Sequence, residues 1–520
     1  MRASPRIVAM QRLRIMTSVL LLGLAACGAS DSSSTPGSDI PRGGNVLLIS
    51  LDTLRADALS SYGNPHLTSP VLDKLAASGL RFEEVLAQAP NTATSHASLF
   101  TGVYPWTHRV SNVSRGDEKF YSLPDDFVTL AEAFDQQGYA TAAFTDGGPF
   151  SPKWDLLQGF RHTRNQLEGA KAKVQEVLGH LDANADDERP WFVFMHTYEV
   201  HQPYMPPVEW AERFHDGSYD GPLIQREKEV RSDLERAGRK TLKGRVLVDG
   251  FEDFSEQDIR YLWEMYLGAV AYTDYQMGLL FDGLRERGLY DDTLIVITSD
   301  HGEEFGEHGR FGHSQVYHET LSVPLLVHLP EGSPAAWAGT VIPERVSLVD
   351  VHASLMDFAD VSAPFEVGYS VFEGLRTGYF PERTSFAVTT EGFNSDIDRG
   401  FFRLDRSAHS GDRAVIMTQK NKADHRRLLD VSGPTPVGQT ATEFLASEIL
   451  PKEGSSELTG SDAHIAELHA LVEEVTVHMH TAAEDRKAII KDESLLRASS
   501  IDEATQSEME ALGYLDSDKD

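Results

Sequence analysis

Residues 45–52, NVLLISLD, form a nearly unbroken apolar run that ends in an acid. A half-exposed strand alternates apolar and polar side chains. The continuous run from Val46 to Leu51 therefore predicts a strand covered on both faces, as in a parallel sheet. Asp52 follows at the point where such a strand leaves the sheet. In open α/β sheets this carboxyl edge is where ligands bind.

The neighbouring segments extend the pattern. Thr68-Ser69-Pro70 offers a cap and a proline at the first helical position, Val71, Leu72 and Leu75 supply an apolar stripe, and Gly79 closes the helix. A helix near Val128–Gln137 leads into an apolar run at Thr141–Phe144. Trp191–Met195 (WFVFM) predicts another buried strand. A long helical pattern from Glu256 to Arg287 stops at Gly288 and leads into Leu294–Thr298 (LIVIT), with Val323–Val327 (VPLLV) after it. Apolar strands separated by helices predict an α/β fold, a doubly wound and mostly parallel sheet flanked by helices. Beyond about residue 380 the runs shorten and alternate, at Ser385–Thr389, Phe401–Leu404 and Ala414–Thr418. Helical stretches follow at Asp462–Asp485 and Ile501–Leu512. The expected organisation is a main domain over residues 45–380 and a smaller C-terminal α+β unit with an antiparallel sheet over 381–520.

The 520 residues are 41% apolar and include 25 Phe, enough for a large core. The 47 basic and 80 acidic side chains leave a net charge of −33, which argues against nucleic acid or an anionic lipid surface as a partner of the folded body. The one cysteine, Cys27, excludes an intramolecular disulfide and a Cys-based metal cluster. Its setting is informative. Residues 1–26 carry Arg2, Arg6, Arg12 and Arg14 without an acid, followed by an apolar run from Ile15 to Ala26 too short to span a bilayer. Leu24-Ala25-Ala26-Cys27-Gly28 resembles the lipobox of bacterial lipoproteins, in which the cysteine is acylated. Residues 1–26 are thus expected to be a signal peptide. Residues 27–44, rich in Ser, Gly and Pro, are expected to form a flexible tether. The expectation is an exported lipoprotein of the cell envelope, in the periplasm or at the outer membrane, that meets the membrane through its lipid anchor only.

Four polar clusters sit where strands end or helices begin: Asp52; Asn91 to His96 (NTATSH); His196 and His201 (MHTYEVHQPY); and Asp300 and His301, followed by His308 and His313 (SDHGEEFGEHGRFGHS). Each has a structural reading as a cap or loop residue. Together, at the same sheet edge, they suggest a site.

The set resembles the sulfatases of the alkaline phosphatase superfamily. NVLLISLDTLRADALSSYG, ATSHASLFTGVYP, FMHTYEVHQPYMPP, LYDDTLIVITSDHGEEFGEHG and SLVDVHASLMDFADV carry the likeness, over about residues 45–370. The resemblance implies a metal bound by Asp52, Asp300, His301 and Thr92, with Thr92 as nucleophile. It implies substrate contacts from His196, His201, Asn112 and His313, with His201 or His313 as proton donor to the leaving group.

The departures matter as much. Sulfatases convert a Cys or Ser in a C/S-x-P-x-R signature to formylglycine, but here Thr92, Thr94 and His96 stand for its Cys, Pro and Arg. Oxidising a threonine cannot give the aldehyde, so no formylglycine is expected. Thr53 also replaces the second of two adjacent aspartates common in the family. A threonine nucleophile resembles that of phosphodiesterases and phospho-alcohol transferases, and needs a divalent metal to ionise. An imidazole ligand favours Zn²⁺ or Mn²⁺, with Ca²⁺ or Mg²⁺ also open. The expected function is hydrolysis of a phosphate or sulfate ester, from a small-molecule or envelope-derived anionic substrate, through a covalent Thr92 ester. The alternatives are a phosphotransferase acting on an envelope acceptor and a non-catalytic binding lipoprotein. The charged segment Gly217–Gly250 is read as a lid or an exposed loop.

Overall fold

The computed structural model describes residues 39–111, 119–237, 254–361, 367–391, 403–410, 413–420, 423–430 and 498–500, with single helical positions at 470, 477, 481, 486 and 489. Eight strands form the central sheet. They are β1 (Asn45–Leu51), β2 (Leu80–Phe82), β3 (Ala140–Thr145), β4 (His162–Asn165), β5 (Trp191–Thr197), β6 (Thr293–Thr298), β7 (Leu325–His328) and β8 (Thr340–Ile342). Their order is β8-β2-β7-β6-β1-β5-β3-β4. β1 lies in the middle, parallel to β5 and β6, with Ser50 level with both His196 and Thr298. Only β7 runs against its neighbours.

The continuous apolar runs are explained by two cores. Val46, Leu48, Phe192, Phe194, Leu294 and Val296 face one hydrophobic cluster. Leu47, Ile49, Val193, Met195, Ile295 and Ile297 face the other. Successive side chains point to opposite faces of a strand, so a sheet covered on both sides needs apolar residues at every position. The first cluster takes residues of α2 (Thr92–Thr101), α3 (Leu130–Gln136) and α6 (Leu348–Phe358). The second takes those of α1 (Pro70–Ser78), α4 (Ala170–Ala183) and the 31-residue α5 (Glu256–Glu286). A separate antiparallel meander follows: β9 (Ser385–Glu391), β10 (Arg403–Ser410), β11 (Arg413–Lys420) and β12 (Ala423–Asp430). The stretch Ile501–Leu512 lies outside the described residues, as do most of Asp462–Asp485 and the export signal with Cys27.

Two helix starts differ from the local expectation. Ser69 precedes α1 but spends its hydroxyl on Asp73 and Ser60. The first amides of α1, Val71 and Leu72, instead donate to the Asp274 carboxylate of α5 at 2.9–3.2 Å. Helix α3 begins at Leu130, where Thr129 and Glu132 form a reciprocal capping box. The Gly217–Gly250 segment contains a helix at Leu223–Ala237, and residues 238–253 are outside the described set.

Candidate active site

The three central strands deliver their polar residues to one edge. Asp52 follows β1, His196 lies near the end of β5, and Asp300 follows β6 by two residues. The turn after β1 is constrained: Thr53 adopts φ 57°, a left-handed conformation costly for a β-branched residue. It is held by the Tyr266 hydroxyl, which donates to the Thr53 carbonyl at 2.8 Å and accepts the Arg55 amide at 2.9 Å. The Ser299 hydroxyl accepts the Leu54 amide at 2.9 Å and donates to the His301 carbonyl at 2.7 Å, tying the two strand ends together.

Helix α2 aims its first turn at this edge. Asn91 is the cap, accepting the Thr94 amide at 3.1 Å, which leaves the Thr92 side chain available to the site. The Thr92 hydroxyl donates to Asp52 Oδ2 at 3.1 Å and lies 3.5 Å from His301 Nε2. His196 Nε2 is 3.0 Å from the same Asp52 oxygen. His301 Nδ1 donates to the Gly302 carbonyl at 2.9 Å, so its Nε2 carries a lone pair, 3.4 Å from Asp300 Oδ2. Asp52, Thr92, His196, Asp300 and His301 are all fully buried.

A second group adjoins the first. His201 Nδ1 donates to the Gln202 carbonyl at 2.7 Å and His313 Nδ1 to the Pro90 carbonyl at 3.0 Å. Both Nε2 atoms therefore present lone pairs, and they face each other at 3.2 Å. Burial, with the nearby His301, pushes His313 down to about 3, so that ring is neutral at ordinary pH. The His313 ring also lies 4.3 Å from that of His301, joining the two groups. His308 is elsewhere, 3.1 Å from Glu319 and stacked on Tyr317 at 3.5 Å. Asn112 lies outside the described residues.

The electrostatics of the first group are unbalanced. Burial, reinforced by the nearby Asp300, pushes the Asp52 carboxyl well above the ordinary range. Burial acts on Asp300 too, but His301, His96 and His196 outweigh it and hold that carboxyl low. Among the described residues, Asp52 Oδ1, Asp300 Oδ2 and His196 Nδ1 have no hydrogen-bond partner. Ligand atoms of Asp52, Asp300 and His301 lie within 4.8 Å of one another. Buried carboxylates with open lone pairs and no Lys or Arg partner among the described residues fit a bound cation. Burial also pushes Glu303, next in this loop, up to about 8.

Several participants were not singled out by sequence reasoning. Ser50 stands out as the one polar residue within the β1 run, two positions before Asp52 and hence on the same face. Asp146 follows β3 just as Asp52 follows β1, and it anchors the His201 segment. Its Oδ2 accepts the Thr197 hydroxyl at 2.7 Å and the Tyr198 amide at 3.0 Å. Tyr266 and Ser299 carry no local signal.

Comparison with known proteins agrees with this architecture. A family profile described as Sulfatase matches residues 44–361, more than half of the chain. The chain belongs to the sulfatase family, and it is a hydrolase acting on ester bonds. It is 25% identical over 382 residues to an arylsulfatase of Clostridium perfringens, covering 62% of this chain and 76% of the relative. It is 24% identical over 390 residues to the multifunctional alkaline phosphatase superfamily protein PehA of Trinickia caryophylli, covering 62% and 74%. The fold matches that of the phosphonate monoester hydrolase SpPMH from Silicibacter pomeroyi with a TM-score of 0.61 at 21% identity, over 84% of this chain and 96% of that one.

Proposed function

We propose that the chain is a threonine-nucleophile member of its family that hydrolyses phosphate or sulfate esters without formylglycine, phosphate esters being favoured. The observation that carries this reading is the Thr92 hydroxyl, 3.1 Å from Asp52 Oδ2 and beside His301, in a chain whose one cysteine is Cys27. Asp52, Asp300, His301 and the Thr92 oxygen would hold the metal, and the imidazole among them favours Zn²⁺ or Mn²⁺ over Ca²⁺ or Mg²⁺. A divalent cation there supplies neutralisation of the two carboxylates and a lowered hydroxyl pKa.

The chain's own groups do the rest. Asp52 Oδ2 orients the Thr92 hydroxyl, and the start of α2 favours an incoming anion. The Thr92 oxygen, passing its hydrogen to Asp52 Oδ2, attacks phosphorus (or sulfur) in line, forming a Thr92 ester as the bond to the leaving oxygen breaks. His201 or His313, once it has taken a proton from solvent at Nε2, would give that proton to the leaving oxygen. Water then cleaves the Thr92 ester, releasing the inorganic anion and restoring the hydroxyl. Phosphate is favoured because the family's easy release from an aldehyde hydrate is closed to a threonine.

Export and acylation at Cys27 belong to the same proposal, supported by the arginines and apolar run of residues 1–26. The test is a panel of aryl sulfate, phosphate mono- and diester and phosphonate substrates with Zn²⁺, Mn²⁺ or Ca²⁺. Thr92→Ala is expected to lower kcat/KM by about 10³-fold or more on every substrate that turns over. Activity retained within tenfold would sink the nucleophile assignment.

A further inference from the structure

His96 lies one turn after Thr92 on α2, fully buried, where it is packed against Phe100, Phe150, Phe194 and His196. Its ligand atoms come within 4.8 Å of those of His196 and Asp300, a spacing that could suggest a second metal position. The hydrogen bonds point elsewhere. His96 Nδ1 is 2.9 Å from the Thr92 carbonyl oxygen, which can only accept, so Nδ1 carries the hydrogen. Nε2 is then the acceptor, and the Ser50 hydroxyl donates to it at 2.9 Å. Both ring nitrogens are committed, and no lone pair remains for a metal.

The same Nδ1–H, donated to the Thr92 carbonyl, turns its positive end towards Asp300 Oδ2, 3.5 Å away, too far and too misaligned for a second hydrogen bond but close enough to act on the carboxylate through space. One position earlier on α2, the Ser95 hydroxyl donates to the Asp300 carbonyl at 2.6 Å. The start of α2 thus holds the Asp300 main chain by a hydrogen bond and faces its side chain with the His96 ring. Asp52 receives the corresponding imidazole donor from His196 Nε2. Each carboxylate has one buried imidazole beside it, and Asp52 Oδ1 and Asp300 Oδ2 have no hydrogen-bond partner among the described residues.

We propose that His96 is a positioning residue: its Nδ1–H, fixed on the Thr92 carbonyl and turned towards the Asp300 carboxylate, supports that carboxylate electrostatically for the metal, while Ser50 sets the tautomer that makes this possible. The proposal rests on the reading of Asp300 as a metal ligand. It assigns a task to a position where the formylglycine signature carries arginine. A neutral imidazole donor suits a buried helix turn that already faces a cation, where a second fixed positive charge would oppose metal binding.

The test is calorimetric titration of the metal-free full chain with Mn²⁺ alone, alongside thermal melting. Loss of a supporting partner typically weakens metal affinity about 10- to 100-fold, and that is the effect expected of His96→Leu. His96→Asn places an amide N–H where Nδ1 stood and is expected to recover affinity to within about threefold of the parent. Ser50→Ala is expected to weaken Mn²⁺ binding by about 3- to 10-fold, and it carries the test alone if His96→Leu does not fold. Either His96→Leu or Ser50→Ala binding Mn²⁺ within about twofold of the parent would overturn the proposal. So would a parent stoichiometry of two ions falling to one in His96→Leu, which would make His96 a ligand. Asp300→Ala is the control: if it keeps parental Mn²⁺ affinity, the metal assignment itself fails, independently of His96.

Discussion

The loops after β1 and β6 together build two acidic groups, and the groups are finished in opposite ways. Farther along these loops, Asp57 and Glu307 meet Arg55. The guanidinium donates to both Asp57 oxygens at 2.8 and 2.7 Å, to Glu307 Oε1 at 2.8 Å and to the Glu303 carbonyl at 3.0 Å. It also lies over Trp263 at 5.0 Å. Its side chain is only 1% exposed, and that of Glu307 is fully buried. At the strand ends themselves, Asp52 and Asp300 meet no Lys or Arg side chain among the described residues and keep open oxygens. Two carboxylates closed by an internal cation brace the fold. Two carboxylates left open at the sheet edge fit a cation from outside, and that difference separates scaffold from candidate site.

The comparison breaks most visibly at the closed group. Arg55→Ala leaves Asp57 and Glu307 without their counter-ion, and a loss of about 3–5 kcal/mol in unfolding free energy is expected from thermal or urea denaturation. A loss under about 1 kcal/mol would mean that the group is not held together by its charge.

Metal addition acts on the open group. At about 100 times its Kd, Mn²⁺ is expected to stabilise the chain by about 2.7 kcal/mol, a gain removed by chelator. The gain should vanish in Asp300→Ala and survive in Glu307→Gln. The reverse pattern in melting curves would exchange the roles of the two groups.

Acid tests the buried histidines outside both groups. Burial pushes His108 down to about 3 and His352 to about 4. His108 Nδ1 accepts the Val110 amide at 3.0 Å, and His352 Nδ1 donates to the Leu99 carbonyl at 3.2 Å. Below the ordinary histidine pKa of about 6.5 the unfolded chain takes up protons that these native rings refuse, so stability falls as pH drops from about 6.5 towards 4. Each ring costs about 2 kcal/mol at pH 5. His352→Gln is expected to flatten the melting profile over that range. A slope equal to the parent's would remove His352 from the account.

The smallest effect falls on the open group without metal. Asp300→Asn removes a charge that the surrounding imidazoles favour, and in the metal-free chain it is expected to destabilise by about 1 kcal/mol while abolishing Mn²⁺ binding. Stabilisation by that substitution would show that repulsion from Asp52 outweighs the imidazoles.

Much of this is legible in the amino-acid sequence. The runs at Val46–Leu51, Trp191–Met195 and Leu294–Thr298 form the three central strands, and Asp52, His196 and Asp300 emerge at their ends. The start of α1 is not legible in detail because its capping carboxylate, Asp274, comes from a helix some 200 residues away, and no local pattern reveals such a partner. His96 stands out as a departure from a signature, but its task depends on Ser50 and Asp300 meeting it from two strands.

The amino-acid sequence by itself determined the strands, the placing of acids and imidazoles at their carboxyl ends, and the lack of any cysteine at position 92. Those follow from burial and periodicity, which act along the chain. Tertiary structure alone decided which imidazole serves which carboxylate, which ring nitrogen carries hydrogen, and which acidic group is closed by arginine. Such matters rest on contacts of about 3 Å between residues as far apart as Ser95 and Asp300, 205 positions along the chain. Hydrogen bonds and ion pairs act at that range, and only the folded chain brings their partners within it.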